Sequence, residues 1–197
     1  MKQNSSKVNP RSTMRAPDAG SKQRPKLRPK LRVEKGRIRT YLEDYNPDAL
    51  MSFISQGQEF NSPINLYIAE ILGAEFIAPL LEAVKETKSG DVIYQASGRD
   101  DFPDILFSVM PVWDTALSNE EKFLSRGYKN VINLAKEMNF KNLLMPALGM
   151  GKSSFPHKRV VRLSLSAIQS SMAAPIEDIL IICAEDAMHD AYVERLA

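Results

Sequence analysis

The sequence predicts a three-layer α/β/α domain built around a central mixed sheet. Short apolar runs alternate with longer stretches of helical period along most of the chain, which is the pattern of a sheet covered by helices. One run, Ile179 to Ala184, is apolar without interruption, as a central strand covered on both faces must be.

Taken in order, the elements begin near Gly36. Arg37 to Leu42 alternates polar and apolar residues and predicts a half-buried strand, and Asn46, Pro47 and Asp48 form a turn after it. Leu50 to Ile54 reads as a short buried strand ending before Gly57. Pro63 to Leu72 carries Ile64, Tyr67, Ile68 and Ile71 at helical spacing, with Gly73 as its C-terminal cap. A second helix spans Pro79 to Glu86, and strands follow at Asp91 to Ala96 and Ile105 to Val109. Ser118 and Glu121 form an S-x-x-E capping box ahead of a long amphipathic helix through Phe123, Leu124, Tyr128, Val131, Ile132 and Ala135. Asn142 to Pro146 is a short strand. A helix then carries Val161, Leu165, Ile168 and Met172 on one face, and Met188 to Leu196 closes the chain as a helix. There is no internal repeat.

Charge divides the chain. Residues 1–39 hold 13 of the 26 Lys and Arg and only two acids, Asp18 and Glu34, a net of +11; the remaining 158 residues carry a net of −9. The basic segment is poor in large apolar side chains and holds Pro10, Pro17, Pro25 and Pro29, so it cannot bury enough surface to offset its ordering entropy. This predicts a disordered basic arm at 1–36 and a single domain at 37–197. Residues 22–39 repeat a Pro-Lys-Leu-Arg pattern without aromatic residues. Such cations suit sequence-independent contact with nucleic acid or another polyanion, a nuclear address signal, or a solubilising linker. No apolar stretch reaches the length of a membrane helix, and the N-terminus lacks a signal-peptide core. The one cysteine, Cys183, reads as a buried hydrophobe, and no Cys/His cluster suggests a metal. The expectation is an intracellular protein, cytoplasmic or nuclear, with neither metal nor cofactor.

The segment Met145 to Pro156, between a strand and a helix, is the richest in chemistry. Its glycines let the backbone approach a ligand, and successive amides ahead of a helix N-terminus suit phosphate. A plain strand-to-helix turn would use the same glycines for geometry alone. Gly-Met-Gly-Lys-Ser also invites a P-loop, but the first glycine of that motif would fall on Pro146.

Pro146, Ala147, Gly151, Phe155 and Pro156 match, without a gap, the phosphate loop of macro domains, of general form Pro-Ala-Ile-Ser-Thr-Gly-Ile-Tyr-Gly-Phe-Pro. Leu106 to Trp113 is similar to that family's Ile-His-Thr-Val-Gly-Pro-x-Trp strand, Tyr128 to Glu137 to its central helix, and Ser89 to Val92 to its Thr-Gly-Glu-Ala. The chain therefore resembles a macro domain over residues 89–197. The resemblance implies a module that binds ADP-ribose or a related phosphorylated nucleotide, with Gly149, Met150, Gly151, Lys152, Ser153, Ser154 and Phe155 as the phosphate loop. Lys152 would add affinity for an anion or stand as an exposed tip. Asp44 would meet the adenine.

The family's first ligand loop, Val-Asn-Ala-Ala-Asn followed by a glycine run, is matched poorly. Its best placement is Ile54 to Gln58 and Asn61 to Ile64, giving Gly57, Gln58, Ser62 and Ile64 as possible contacts. The asparagines that position the distal ribose in hydrolytic members are absent, and Pro63 removes an amide donor. No catalytic residue is assigned, and both histidines, His157 and His189, read as surface residues. An ADP-ribosyl hydrolase, or a macro scaffold used for nucleic-acid or protein interaction, are the alternatives.

Overall fold

The computed structural model describes residues 28–55, 60–110, 119–148 and 156–197. Six strands form one sheet: β1 (Lys30–Lys35), β2 (Ala49–Ile54), β3 (Val92–Gln95), β4 (Asp104–Val109), β5 (Asn142–Pro146) and β6 (Asp178–Cys183). Their order is β1-β6-β5-β2-β4-β3, every neighbouring pair being parallel except β3 and β4, so the sheet is mixed.

Helices α1 (Ile38–Tyr45), α2 (Pro63–Leu72) and α3 (Ala74–Glu86) cover one face; α4 (Glu120–Glu137), α5 (His157–Ser171) and α6 (Asp186–Leu196) cover the other. Strand alternation divides the core between these layers. On β2, Ala49 and Met51 join the cluster under α4 to α6, while Leu50 and Ile54 join the cluster under α1 to α3. The unbroken apolar run in β6 follows from this, because Ile179 and Ile181 face one layer and Leu180 and Ile182 the other.

Two expectations about the start of the domain are corrected. Lys30–Lys35 is not part of a disordered arm but the edge strand β1, paired in parallel with β6 from Lys30↔Asp178 to Lys35↔Cys183. Its alternation is weak in apolar content because an edge strand needs only Leu31 and Val33 turned inward, both half-buried. The predicted strand Arg37 to Leu42 is instead helix α1. Its alternation is also compatible with helical spacing, and Ile38, Tyr41, Leu42 and Tyr45 form the stripe that packs on the sheet.

The helix expected from Pro79 starts earlier, at Ala74, where Gly73 at φ 79° separates it from α2. Pro79 sits inside α3 on the solvent side. The expected capping box is not a cap. Ser118 lies outside the described residues, Asn119 is the N-cap of α4 in a left-handed conformation, and Glu121 accepts hydrogen bonds from Arg159 (2.8 Å) and Arg162 (3.2 Å) across to α5.

Candidate functional site

Five parallel strands end at the same edge, and five connections leave from it toward α1, α2, α4, α5 and α6. At the centre of that edge, β2 and β5 are neighbours whose chains depart in opposite directions. The chain leaving β2 enters α2 on one face and continues to the β4–β3 side of the sheet. The chain leaving β5 enters α5 on the other face and continues to β6. In open α/β sheets the crevice beyond such a switch point is the usual ligand position.

Gly57 and Gln58 in the connection after β2, and Gly149 to Phe155 in the connection after β5, lie outside the described residues, as does Trp113. The residues that frame these connections are described. Ser62 is the N-cap of α2, its Oγ accepting the Asn65 amide at 3.2 Å. Ile64 turns into the core under α1 to α3 and packs there, half-buried. Asn65 is itself 3% exposed and ties α2 to the end of β2: its Oδ1 accepts from Ser52 Oγ at 2.6 Å and its Nδ2 donates to the Phe53 carbonyl at 3.0 Å. Sequence reasoning missed this pair. The available signal was an asparagine on the apolar stripe of α2, one turn from Ile68.

On the β5 side, Ala147 donates to the Ile182 carbonyl at 2.8 Å and Leu148 is buried. His157 opens α5 and is not a surface residue in the expected sense. Only 20% of its side chain is exposed, and its buried Nε2 lies 4.0 Å from Oε2 of Glu185, the N-cap of α6, without a hydrogen bond. His189 is also partly covered, 3.3 Å from Asp190 on its own helix.

Asp44 is corrected. It lies exposed in the last turn of α1, which runs back toward the starts of the strands. Its neighbour Tyr45 donates to Asp178 at the first residue of β6. Asp44 is therefore at the opposite edge of the sheet from the crevice. At the end of β1 the chain places Lys35, paired to Asp186 at 2.5 Å, followed by Arg37.

Under α4 to α6 the core near this edge holds polar groups. Tyr192 shares a hydrogen bond with Ser164 at 2.6 Å, both fully buried. Burial pushes the Cys183 thiol up to about 12, so it is protonated at neutral pH and is no nucleophile. Among the described residues no group of three or more His, Cys, Asp or Glu could hold a metal, and no helix is long and apolar enough to cross a membrane.

The Macro domain family profile matches residues 58–164, just over half of the chain. The chain belongs to the macro domain family. A Cupriavidus necator macro domain-containing protein is 27% identical over 131 residues, covering 64% of this chain and 76% of the relative. An O-acetyl-ADP-ribose deacetylase of Klebsiella pneumoniae is 22% identical over 120 residues, covering 60% and 69%. Among solved structures, the macro domain of ganglioside induced differentiation associated protein 2 superposes with a TM-score of 0.71 at 18% identity, covering 91% of each chain. A Trypanosoma brucei macrodomain in complex with ADP-ribose superposes with a TM-score of 0.67 at 14% identity, covering 87% of this chain and 75% of that one. At these identities the structural likeness establishes the fold. The six-stranded mixed sheet between two helical layers is thus a macro domain architecture.

Proposed function

We propose that this macro domain binds ADP-ribose or a related phosphorylated nucleotide across the β2–β5 crevice and does not hydrolyse it. The observation that carries the reading is the position of the segment Pro146 to Pro156. Its phosphate-loop pattern leaves β5 at the switch point and enters α5, a helix of 15 residues whose first amides lack a side-chain cap. Gly149 to Phe155 supplies backbone amides for the diphosphate, and the helix N-terminus behind them favours negative charge. On the other side, Ser62 caps the start of α2, and Gly57 and Gln58 are the contacts proposed from the connection after β2. A solved relative holding ADP-ribose and a curated relative acting on an ADP-ribose ester support this ligand class.

Binding without turnover follows from the first connection. It lacks the asparagines and the glycine run, and Pro63 opens α2 without an amide to donate. Placing a scissile bond tolerates little error, since a displacement near 1 Å costs about 100-fold. The deacetylase relative favours the hydrolase as second reading. A turnover assay on ADP-ribosylated protein and on O-acetyl-ADP-ribose separates them: release no faster than in buffer supports the binding module. Release abolished by changing Gln58 would establish the enzyme.

A further inference from the structure

An open groove of about 890 Å³ crosses the outer surface of α5, between the first turn of α4 and the last turns of α6. Of the 26 Lys and Arg, 13 follow residue 39 in an otherwise acidic body, and five of these line the groove: Lys122, Lys158, Arg159, Arg162 and Arg195. All five are exposed. Among the described residues, no carboxylate pairs with Lys122, Lys158 or Arg195. Glu121 pairs with Arg159 Nη1 and Arg162 Nη2, which leaves those two side chains 48% and 55% exposed. Of the other acids in the lining, Glu120 is buried and Glu194 is exposed. A second groove shares Arg162 and Arg195 and adds Ser125, Ser166, Gln169 and Ser170. Among the described lining residues none is aromatic, and no large apolar side chain is left exposed.

Two features select the partner. Protein partners are held by aromatic or apolar anchors, which this surface lacks. Lysine, arginine, serine and glutamine side chains are instead the donors that contact phosphate oxygens along a nucleic-acid backbone. The second feature is where the basic segment joins the domain. Lys35 at the end of β1 pairs with Asp186 at the start of α6 at 2.5 Å, so α6 runs back along β1. Arg195, in the last turn of α6, therefore lies toward the edge at which β1 begins. Residues 1–27, with seven cations and one acid, join the chain at that edge through Arg28.

We propose that the groove over α5 is the folded half of a surface for the phosphate backbone of nucleic acid, residues 1–27 supplying the other half. Lys122, Lys158 and Arg195 neutralise phosphates, and Arg159 and Arg162 add guanidinium donors beside them. Ser125, Ser166, Gln169 and Ser170 extend the line of donors along α5. With no aromatic face to stack a base, the contact is made to the backbone. The two halves hold one partner, so weakening either lowers the affinity of the whole.

The test is Lys122→Glu combined with Arg195→Glu in the full chain, with Lys85→Glu combined with Lys88→Glu as control. Both pairs change the net charge equally, and the control pair lies at the end of α3, in the other helical layer. Binding of a short labelled DNA duplex is followed by fluorescence polarisation across a series of salt concentrations. Loss of two phosphate contacts should lower the slope of log affinity against log salt by about 2, and affinity at about 0.1 M salt by at least about tenfold. The control should keep the parent's slope. Lys122→Gln with Arg195→Gln should reproduce the fall in slope without adding acids, and both groove variants should melt close to the parent. Poly-glutamate should displace the duplex far less well than unlabelled duplex does at equal charge. No binding by the parent, an unchanged slope in both groove variants, an equal loss in the control, or displacement by poly-glutamate as effective as by duplex would overturn the proposal.

Discussion

Asp178 Oδ2 accepts hydrogen bonds from Arg32 at 2.5 Å and from Tyr45 Oη at 3.0 Å, so one carboxylate at the start of β6 fastens both the edge strand β1 and helix α1. The domain therefore begins before its net charge changes sign. Of the basic residues beyond Arg28, Arg32 pairs with Asp178, Lys35 with Asp186, and the Arg39 guanidinium lies 5.0 Å from the centre of the Tyr67 ring.

Truncation tests this boundary. Removing residues 1–27 should leave the melting temperature nearly unchanged, whereas removing 1–36 should lower it by exposing the β6 edge and the Asp178 carboxylate. Asp178→Ala should cost about 1–3 kcal/mol in urea unfolding, the usual range for hydrogen bonds to a charged group. Equal melting temperatures for the two truncations would return Lys30–Lys35 to the arm. The same 1–27 truncation removes seven cations and should abolish most RNA or DNA affinity in fluorescence polarisation. The parent's affinity should fall steeply with added salt.

Gly127 lies in the middle of α4, where alanine ordinarily stabilises a helix by about 1 kcal/mol. Here a Cβ would stand 2.6 Å from Ser108 Oγ and 3.0 Å from Met110 Cε, in a buried contact between α4 and β4. Gly127→Ala should therefore destabilise by about 1–3 kcal/mol. Adding Ser108→Ala should recover much of the loss. A G127A protein as stable as the parent in urea would contradict this packing.

Alkaline pH should unfold the protein through groups hidden from water. Burial raises the pKa values of Cys183, Tyr45, Tyr128 and Tyr192, that of Cys183 to about 12. The folded chain keeps these protons after the unfolded chain has lost them, so their stabilisation is complete below about pH 8.5. It declines above that, first through the thiol and beyond about pH 10 through the phenols. Each group contributes a slope of about 1.4 kcal/mol per pH unit between its unfolded and folded pKa values. Cys183→Ala should delay the onset of the decline to about pH 10, read from urea midpoints across pH 8–11. Identical profiles for parent and variant would show the thiol to be less hidden than its burial implies.

The sequence made the strands of the sheet interior and the three helices α4, α5 and α6 legible, because their apolar periods are long and uncompromised. β1 was illegible because Lys30, Arg32, Glu34 and Lys35 mask an edge strand that needs only two inward residues. Arg37 to Leu42 misled because six residues of alternation satisfy a helix stripe as well as a strand. Of the site, the phosphate-loop pattern was legible in Pro146 to Pro156. The contact of Tyr128 on α4 with Phe53 on β2 depends on strand order, which no local pattern encodes.

We propose that the connection between β5 and α5 binds the diphosphate of an ADP-ribose-like nucleotide. Calorimetric titration of ADP-ribose into the full chain and into Gly151→Glu tests it most directly. The substitution puts a carboxylate and a Cβ where backbone amides should meet phosphate, so the parent should give a saturable isotherm. The variant should give none while melting as the parent does. No heat from the parent, or the same isotherm from both proteins, would contradict the claim.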